Sequence, residues 1–552
     1  MNKLFPIGID DFKKLIQDDY YFIDKSRFIM SLIDGHSDVT LITRPRRFGK
    51  TLTMSMLRYF FANDDVAANR KLFEKCEIGK PENKSYMSEQ GKYPVVFLTL
   101  KDINALDYEG MLRQMALIIA DLYGQYRFLL DIIEDDEKEF FNKALNNKLS
   151  KEEMQFSLKR LTDYLSRYYQ EKVIVLIDEY DAPIQHAYDA SVKYHKETIN
   201  FMKGFMGAAL KTNDKMKFAV LTGVLRIAKE SIFSDLNNLD VCSLMSSKYN
   251  DVFGFTTDEV AAMLADYGMS ERSDEVNEWY DGYLFGGEHI YNPWSVIQYI
   301  SNNGDAQPYW INTSSNQIIK DMVIDLSGEW AEFTEDLLAG REVPAWIDEG
   351  IIYDDLTSDR DRFFTMMLTT GYLTIKSRTV PTENEYNLII PNKEIAGIIR
   401  KEVLERMSTR RALQVERNLV DKMYSGNVAE FETALSDFIL KYVSSFDASA
   451  EGFYHGMMLG ILATSVSGAD VKSEKESGYG RFDLAIIPKM ADGTGVILEF
   501  KAADKEADLE KEAKKARKQI DDKKYEVELN GKGNGVVKKY GVAFCGKHIK
   551  VV

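Results

Sequence analysis

The chain has 552 residues, of which 45% are hydrophobic and 28% charged, and its net charge is −17. That is material for several globular cores, and so acidic a whole argues against a simple DNA-coating protein while leaving room for a local basic groove. No apolar run approaches a membrane span, the opening MNKLFPIGIDDFKKL has no signal-peptide core, and Cys76, Cys242 and Cys545 stand too far apart for a disulfide framework or a zinc site. The expectation is a soluble cytoplasmic protein with no membrane partner.

In chain order, short apolar runs predict strands at Val39–Thr43, Val95–Leu100, Val173–Ile177 and Phe218–Thr222. A helix is predicted over Lys50–Phe61, and a mostly helical stretch over about 105–170. Strands separated by helices predict an α/β domain with a mostly parallel sheet, residues 1–254. Residues 255–447 read as a mostly helical middle domain. Its two extended runs, Tyr372–Lys376 and Tyr386–Ile390, leave either a winged-helix-like unit or a plain hairpin open. Residues 448–552 read as a separate α/β unit, with a helix at Phe453–Ala463, strands at Arg481–Ile487, Val496–Phe500, Tyr540–Phe544 and Ile549–Val552, and a charged helix at Ala502–Lys524.

Between the first strand and the first helix lies Arg44-Pro45-Arg46-Arg47-Phe48-Gly49-Lys50-Thr51. The phosphate-binding pattern GxxxxGK[ST] needs backbone amides at a helix N-terminus, a lysine for the β- and γ-phosphates, and a hydroxyl for Mg2+. Gly49, Lys50 and Thr51 supply these, and Arg46 and Arg47 add positive charge. Arg44 stands where the pattern has its first glycine, which puts the tightness of the loop in question. The apolar run Val173–Ile177 ends in Asp178 and Glu179. Asp178 is placed to hold Mg2+ and Glu179 to orient or deprotonate an attacking water. The next strand ends in Thr222-Gly223, with Arg226 close behind. Thr222 reads as a γ-phosphate sensor; Arg226 reads either as a stabiliser of transition-state charge or as a structural ion pair.

Further on, Asp483 and then Glu499-Phe500-Lys501 fall on successive predicted strands. Two carboxylates suit a hard cation such as Mg2+. Glu499 and Lys501, two apart on a strand, share a face, where the lysine can place a water or meet developing negative charge. A surface charge pair fits the same spacing. His455 reads as a packed helix residue rather than a base, and Glu451 as an extra acid before its helix. Residues 501–552 hold 14 lysines and arginines against nine acids. Phosphate neutralisation and a solvated, alternating helix both fit that balance. Trp279-Tyr280-Asp281-Gly282-Tyr283 and Tyr291-Asn292-Pro293-Trp294 read as a pair of aromatic turns, able to stack bases or to anchor packing.

The segments FPIGIDDFKKL, YYFIDKS, LITRPRRFGKT, VIVLIDEYDAPI, LTGVLRIAKESIFSDLNNL, WYDGYLFG, YNPWSV and GRFDLAII…ILEFK run nearly end to end. They resemble the bacterial predicted AAA-ATPase proteins that carry a C-terminal PD-(D/E)XK nuclease-superfamily domain. In those relatives arginine in place of the first glycine is itself usual. The resemblance implies an ASCE-type, AAA-like P-loop domain, with ATP and Mg2+ held at Arg46, Arg47, Gly49, Lys50, Thr51, Asp178, Thr222 and Arg226 and with Glu179 catalytic. It implies a nuclease site at Asp483, Glu499, Lys501 and Gln519, with Asp483 and Glu499 holding metal and with Glu476 and Gln519 as auxiliaries; Tyr525, after a helix, reads rather as core. The expected function is an ATPase coupled to a nuclease, with nucleic acid as partner. The alternatives are an ATP-driven switch whose nuclease-like domain only binds nucleic acid or protein, and a scaffold with vestigial sites. Homo-oligomerisation stays open.

Overall fold

Apolar strands alternating with amphipathic helices build, in the computed structural model, a five-stranded parallel sheet. Its strands are β1 (Val39–Thr43), β2 (Val95–Thr99), β3 (Val173–Asp178), β4 (Met216–Gly223) and β5 (Leu239–Cys242), in the spatial order β2-β3-β4-β1-β5. The structure describes residues 3–189, 194–226, 233, 237–310, 333, 336–349, 360–378, 384–407, 410–442, 451–466, 469–473, 476–477, 480–489, 493–503, 505–525 and 536–552. The chain forms two compact units, Met1–Ser315 with Pro344–Glu394, and Asn316–Val343 with Ile395–Val552. The stretch 255–447 contributes to both.

Every residue of β1 and β3 is buried, which is why both read as unbroken apolar runs: a strand covered on both faces has no solvent side to alternate with. β4 pairs with β1 through Val39↔Ala219 and with β3 through Ile174↔Phe218. The C-terminal ends of β1, β4 and β3 therefore lie side by side, the edge where open α/β sheets bind ligands. β5 has no strong sequence signal. It is four residues long and half-buried over its first three, and it pairs with β1 through Val39↔Leu239.

In the same unit the Thr257–Asp266 helix starts with a capping box, Thr256 Oγ1 accepting from Glu259 N–H and Glu259 accepting from Thr256 N–H. The aromatic stretch is more than the pair of turns expected. Tyr283–Phe285 and Glu288–Tyr291 form an antiparallel hairpin, closed by Gly286 and Gly287 at φ +51° and +92°, the positive angles such a two-residue loop requires. Tyr283 and Tyr291 of the hairpin, and Tyr280 at the end of the helix before it, are buried, so these rings serve packing. The predicted runs around Tyr372 and Tyr386 form strands Thr374–Arg378 and Glu385–Ile389, paired antiparallel. Pro381 between them lies outside the described residues.

The second unit carries a mixed sheet of β6 (Ala469–Ser473), β7 (Leu484–Pro488), β8 (Gly495–Ala502), β9 (Val537–Cys545) and β10 (His548–Val551), in that order. Only β8 and β9 run parallel, and the Leu509–Lys523 helix makes the crossover that a parallel pair needs. On the opposite side Leu459, Leu462, Phe500, Val542 and Phe544 close a buried core with the Glu451–Ser465 helix. Gly541 sets the helix-to-sheet distance: a Cβ there would lie 2.3 Å from Ala513 O and 2.3 Å from Arg517 N. No described helix is long and apolar enough to cross a membrane.

Candidate functional site

The loop after β1 turns tightly without its first glycine. Arg47 and Gly49 take the left-handed angles, φ +71° and +85°, and Gly49 caps the Lys50–Phe61 helix, whose first residues line a cavity. Arg44, fully buried, braces the loop from beneath. Its Nη1 donates to the carbonyls of Thr43 (2.8 Å) and Cys242 (2.9 Å), and its Nη2 to that of Tyr249 (3.0 Å). The guanidinium lies 5.4 Å from the Phe285 ring centre and 5.8 Å from that of Phe253. Burial pulls it down to about 10, so it remains a cation at neutral pH. The glycine's freedom is replaced by a clamp that ties the loop to β5 and to the segment after it.

Lys50 is buried, and burial lowers its proton affinity against the pull of Glu179 and Asp178. Its ammonium donates to the loop carbonyls of Arg44 and Pro45, both at 3.1 Å. Asp178, at the end of β3, is held by two hydroxyls. Thr51 Oγ1 donates to Oδ2 at 2.7 Å and Thr222 Oγ1 to Oδ1 at 2.5 Å. Burial raises the Asp178 carboxyl above its usual range and the two hydroxyls oppose that rise. Glu179 follows with φ +50°.

Beside these groups opens a cavity of about 610 Å3, whose lining includes Arg46, Arg47, Gly49, Lys50, Thr51 and Glu179. Apolar and aromatic residues line it too, Phe5, Ile9, Tyr21, Phe255, Met263 and Trp294 among them. The Arg47 guanidinium lies 4.5 Å from the centre of the Trp294 ring. The basic lining residues suit a polyanion and the aromatic ones a flat heterocycle. A buried ammonium resting on loop carbonyls and a buried carboxylate gripped by hydroxyls fit a triphosphate and its Mg2+. Neither Asp178 nor Thr222, which donates to it, is among the residues that line the cavity; Thr51 joins them to it. Arg226, half-buried, also stands outside that lining, and 227–232 lie outside the described residues. Sequence reasoning does not assign the apolar lining to this site, because its residues come from two distant segments, near 5–23 and 252–297, that only the fold brings together.

In the second unit, Leu484 pairs with Leu498, so Asp483 stands across from Glu499. Each carboxylate reaches toward backbone on the opposite chain segment. Asp483 Oδ2 accepts from Phe500 N–H at 2.7 Å, and Glu499 Oε2 lies 3.4 Å from Asp483 N. Glu499 is 1% exposed; its Oε1 accepts from Gln519 Nε2 and lies 3.8 Å from Lys501 Nζ. Gln519 also lies 3.3 Å from Tyr525 Oη. The four expected site residues thus come together. His455 is packed, as expected, and it also steadies the chain at Asp483, with its Nε2 3.0 Å from Asp483 O and 3.0 Å from Ser473 Oγ. The oxygen donors Asp483 and Glu499 fit a hard cation. Among the described residues no third acid, histidine or cysteine joins them as a metal-ligating cluster; the side chains of Glu451 and Glu476 lie outside the described residues. Part of the basic helix's charge is paired: Lys514 with Glu510 and Lys515 with Glu512, both at 2.6 Å, within the helix, and its Asp521 with Lys539 of β9 at 2.9 Å. That pattern is a solvated face rather than a continuous phosphate track.

Residues 6–233 match the family model described as Predicted AAA-ATPase, and residues 449–552 match that of the PD-(D/E)XK nuclease superfamily. The chain carries an AAA-ATPase-like domain followed, at its C-terminus, by a PD-(D/E)XK nuclease-superfamily domain. A relative from Azotobacter chroococcum mcd 1, described as an uncharacterized protein in the vnfD 5′ region, is 27% identical over 543 residues, 97% of this chain and 95% of the relative.

Proposed function

We propose that the chain binds and hydrolyses ATP and that its nucleotide state governs a metal-dependent nuclease acting on phosphodiester bonds. The observation that carries this reading is the grip of Thr51 and Thr222 on Asp178, with Thr51 itself lining a cavity that Lys50 and Glu179 also line. The helix amides at Gly49, Lys50 and Thr51 receive the β- and γ-phosphates, with Lys50, Arg46 and Arg47 balancing their charge. Thr51 and Asp178 would hold Mg2+, which when bound spreads the charge of the transferring phosphoryl group. Glu179 orients or deprotonates the attacking water, and Arg226 meets charge developing in the transition state.

In the second domain Asp483 and Glu499 would hold a divalent cation that polarises the scissile phosphate and lowers the pKa of a water. Lys501 meets developing negative charge, and Gln519 fixes the Glu499 carboxylate. Nucleic acid, DNA or RNA, is the substrate, and the cytoplasm the setting. That only two acids gather at this site among the described residues favours a second reading, in which the domain binds nucleic acid or protein without cutting.

The test is incubation of the whole chain with single-stranded DNA, duplex DNA and RNA in Mg2+ or Mn2+, with and without ATP, beside Asp483→Ala. Cleavage that needs Asp483 and responds to ATP supports the first reading. ATP binding with no cleavage of any substrate supports the second.

A further inference from the structure

We propose that Asp181 and Gln185 are positioning residues that tie the turn after β4 to the phosphate loop through Arg46, so that this turn answers to a bound triphosphate. The inference deepens the nucleotide reading above and rests on it.

Asp181 is 1% exposed. A single oxygen, Oδ2, accepts from the backbone N–H of Val224 (3.0 Å) and of Leu225 (2.7 Å) and from Gln185 Nε2 (2.6 Å). Tyr180 Oη donates to the Leu225 carbonyl, so both backbone groups of Leu225 are taken up by residues next to Glu179. Gly223 permits the approach: a Cβ there would lie 2.5 Å from Asp181 Oδ1 and 2.6 Å from Tyr180 Cε1. The other end of Gln185 points the opposite way, Oε1 accepting from Arg46 Nη2 at 3.0 Å.

A primary amide has one acceptor end and one donor end. With a guanidinium on one side and a carboxylate on the other, its orientation is dictated. The result is a directed line from Arg46 through Gln185 to Asp181 and on to the Val224–Leu225 backbone, one residue before Arg226. A buried carboxylate is a costly way to tie down a turn, and a neutral amide would serve packing alone. Arg46 lines the cavity. A phosphoryl oxygen is a stronger partner for its guanidinium than an amide oxygen. A triphosphate that recruits Arg46 therefore releases Gln185, changes the donor set on Asp181, and alters the hold on the turn that presents Arg226.

The test uses the whole chain in Mg2+, titrated with ADP and with a non-hydrolysable ATP analogue, together with steady-state ATP hydrolysis. Gln185→Met keeps volume and breaks the line while leaving the two backbone bonds of Asp181. It is expected to leave ADP affinity within about twofold, to tighten the analogue by roughly threefold or more because Arg46 is already released, and to lower kcat by about tenfold without raising KM. Asp181→Asn is expected to lower kcat in the same direction. If Asp181→Asn does not fold, Gln185→Met alone carries the test. An unchanged ratio of ADP to analogue affinity, or losses shared equally by both nucleotides with a lowered melting temperature, would overturn the inference and leave the nucleotide reading standing. A wild-type chain that binds neither nucleotide overturns both.

Discussion

Thr51 donates to Asp178 across 127 positions of sequence, its Oγ1 2.7 Å from Oδ2. The hydroxyl at the start of the phosphate-loop helix and the carboxylate at the end of β3 thus form one preassembled unit, with Thr222 holding the other oxygen. Thr51→Val removes one donor from a buried carboxylate, and an unmade bond to a charged group costs about 1.5–3 kcal/mol. The expected outcome is ATP affinity in Mg2+ weakened by roughly tenfold or more, with a smaller change in EDTA. Titration calorimetry in both buffers reads it; equal affinity loss with and without Mg2+ would argue that Thr51 serves folding instead.

Arg44 predicts an unusual response to restoring the general pattern. Arg44→Gly supplies the glycine that phosphate loops usually carry, yet it strips the carbonyls of Thr43, Cys242 and Tyr249 of their donor and empties the space above Phe253 and Phe285. The expected loss is about 3 kcal/mol or more. A denaturant melt of the whole chain, followed through the first transition of the wild type, checks it.

Glu394 is buried, accepting from Trp310 N–H and Ser295 Oγ, both at 2.8 Å. Burial pushes its carboxyl up to about 7 against those two bonds. A carboxyl whose proton is held more tightly in the folded chain contributes stability in full below the ordinary glutamate range and loses it as pH rises through about 7. Glu394→Gln mimics the protonated state. Its stability relative to wild type is expected to be near zero at pH 4.5 and to grow to roughly 2–3 kcal/mol in favour of the variant at pH 8. Melting curves of both proteins across that range test the slope.

Gly541 lies beside Glu499 in the parallel β8–β9 register and beneath the helix that carries Gln519. Gly541→Ala forces the helix outward against its own backbone, at about 1–3 kcal/mol. Amide exchange in 509–523 is expected to speed up, and any cleavage activity to fall because Gln519 withdraws from Glu499. Unchanged exchange in that helix would show that the contact relaxes elsewhere.

The runs that sequence reveals best are those with a single environment. Val173 to Asp178 is buried on both faces, so its apolarity is uninterrupted and its terminal acid stands out. Asp483 and Glu499 are legible because each acid adjoins an otherwise apolar run, Asp483 just before Leu484–Pro488 and Glu499 within Gly495–Ala502. Leu239–Cys242 is not legible, since a four-residue edge strand containing Asp240 carries little periodicity and becomes a strand only by pairing with β1. The hairpin around Gly286-Gly287 carries a usable signal, two glycines between aromatic runs, masked by the aromatic residues on either side. The bracing role of Arg44 and the line from Arg46 to Asp181 are invisible in one dimension, because each joins segments that only the sheet order brings together.

Whether the cavity over the Arg44–Thr51 loop is an ATP site is tested most directly by calorimetry. ATP with Mg2+ is titrated into the whole wild-type chain and into Lys50→Ala. Saturable binding at one site per chain, weakened by more than about tenfold in Lys50→Ala, is the predicted result. No binding to wild type, or equal binding to both proteins, would contradict it.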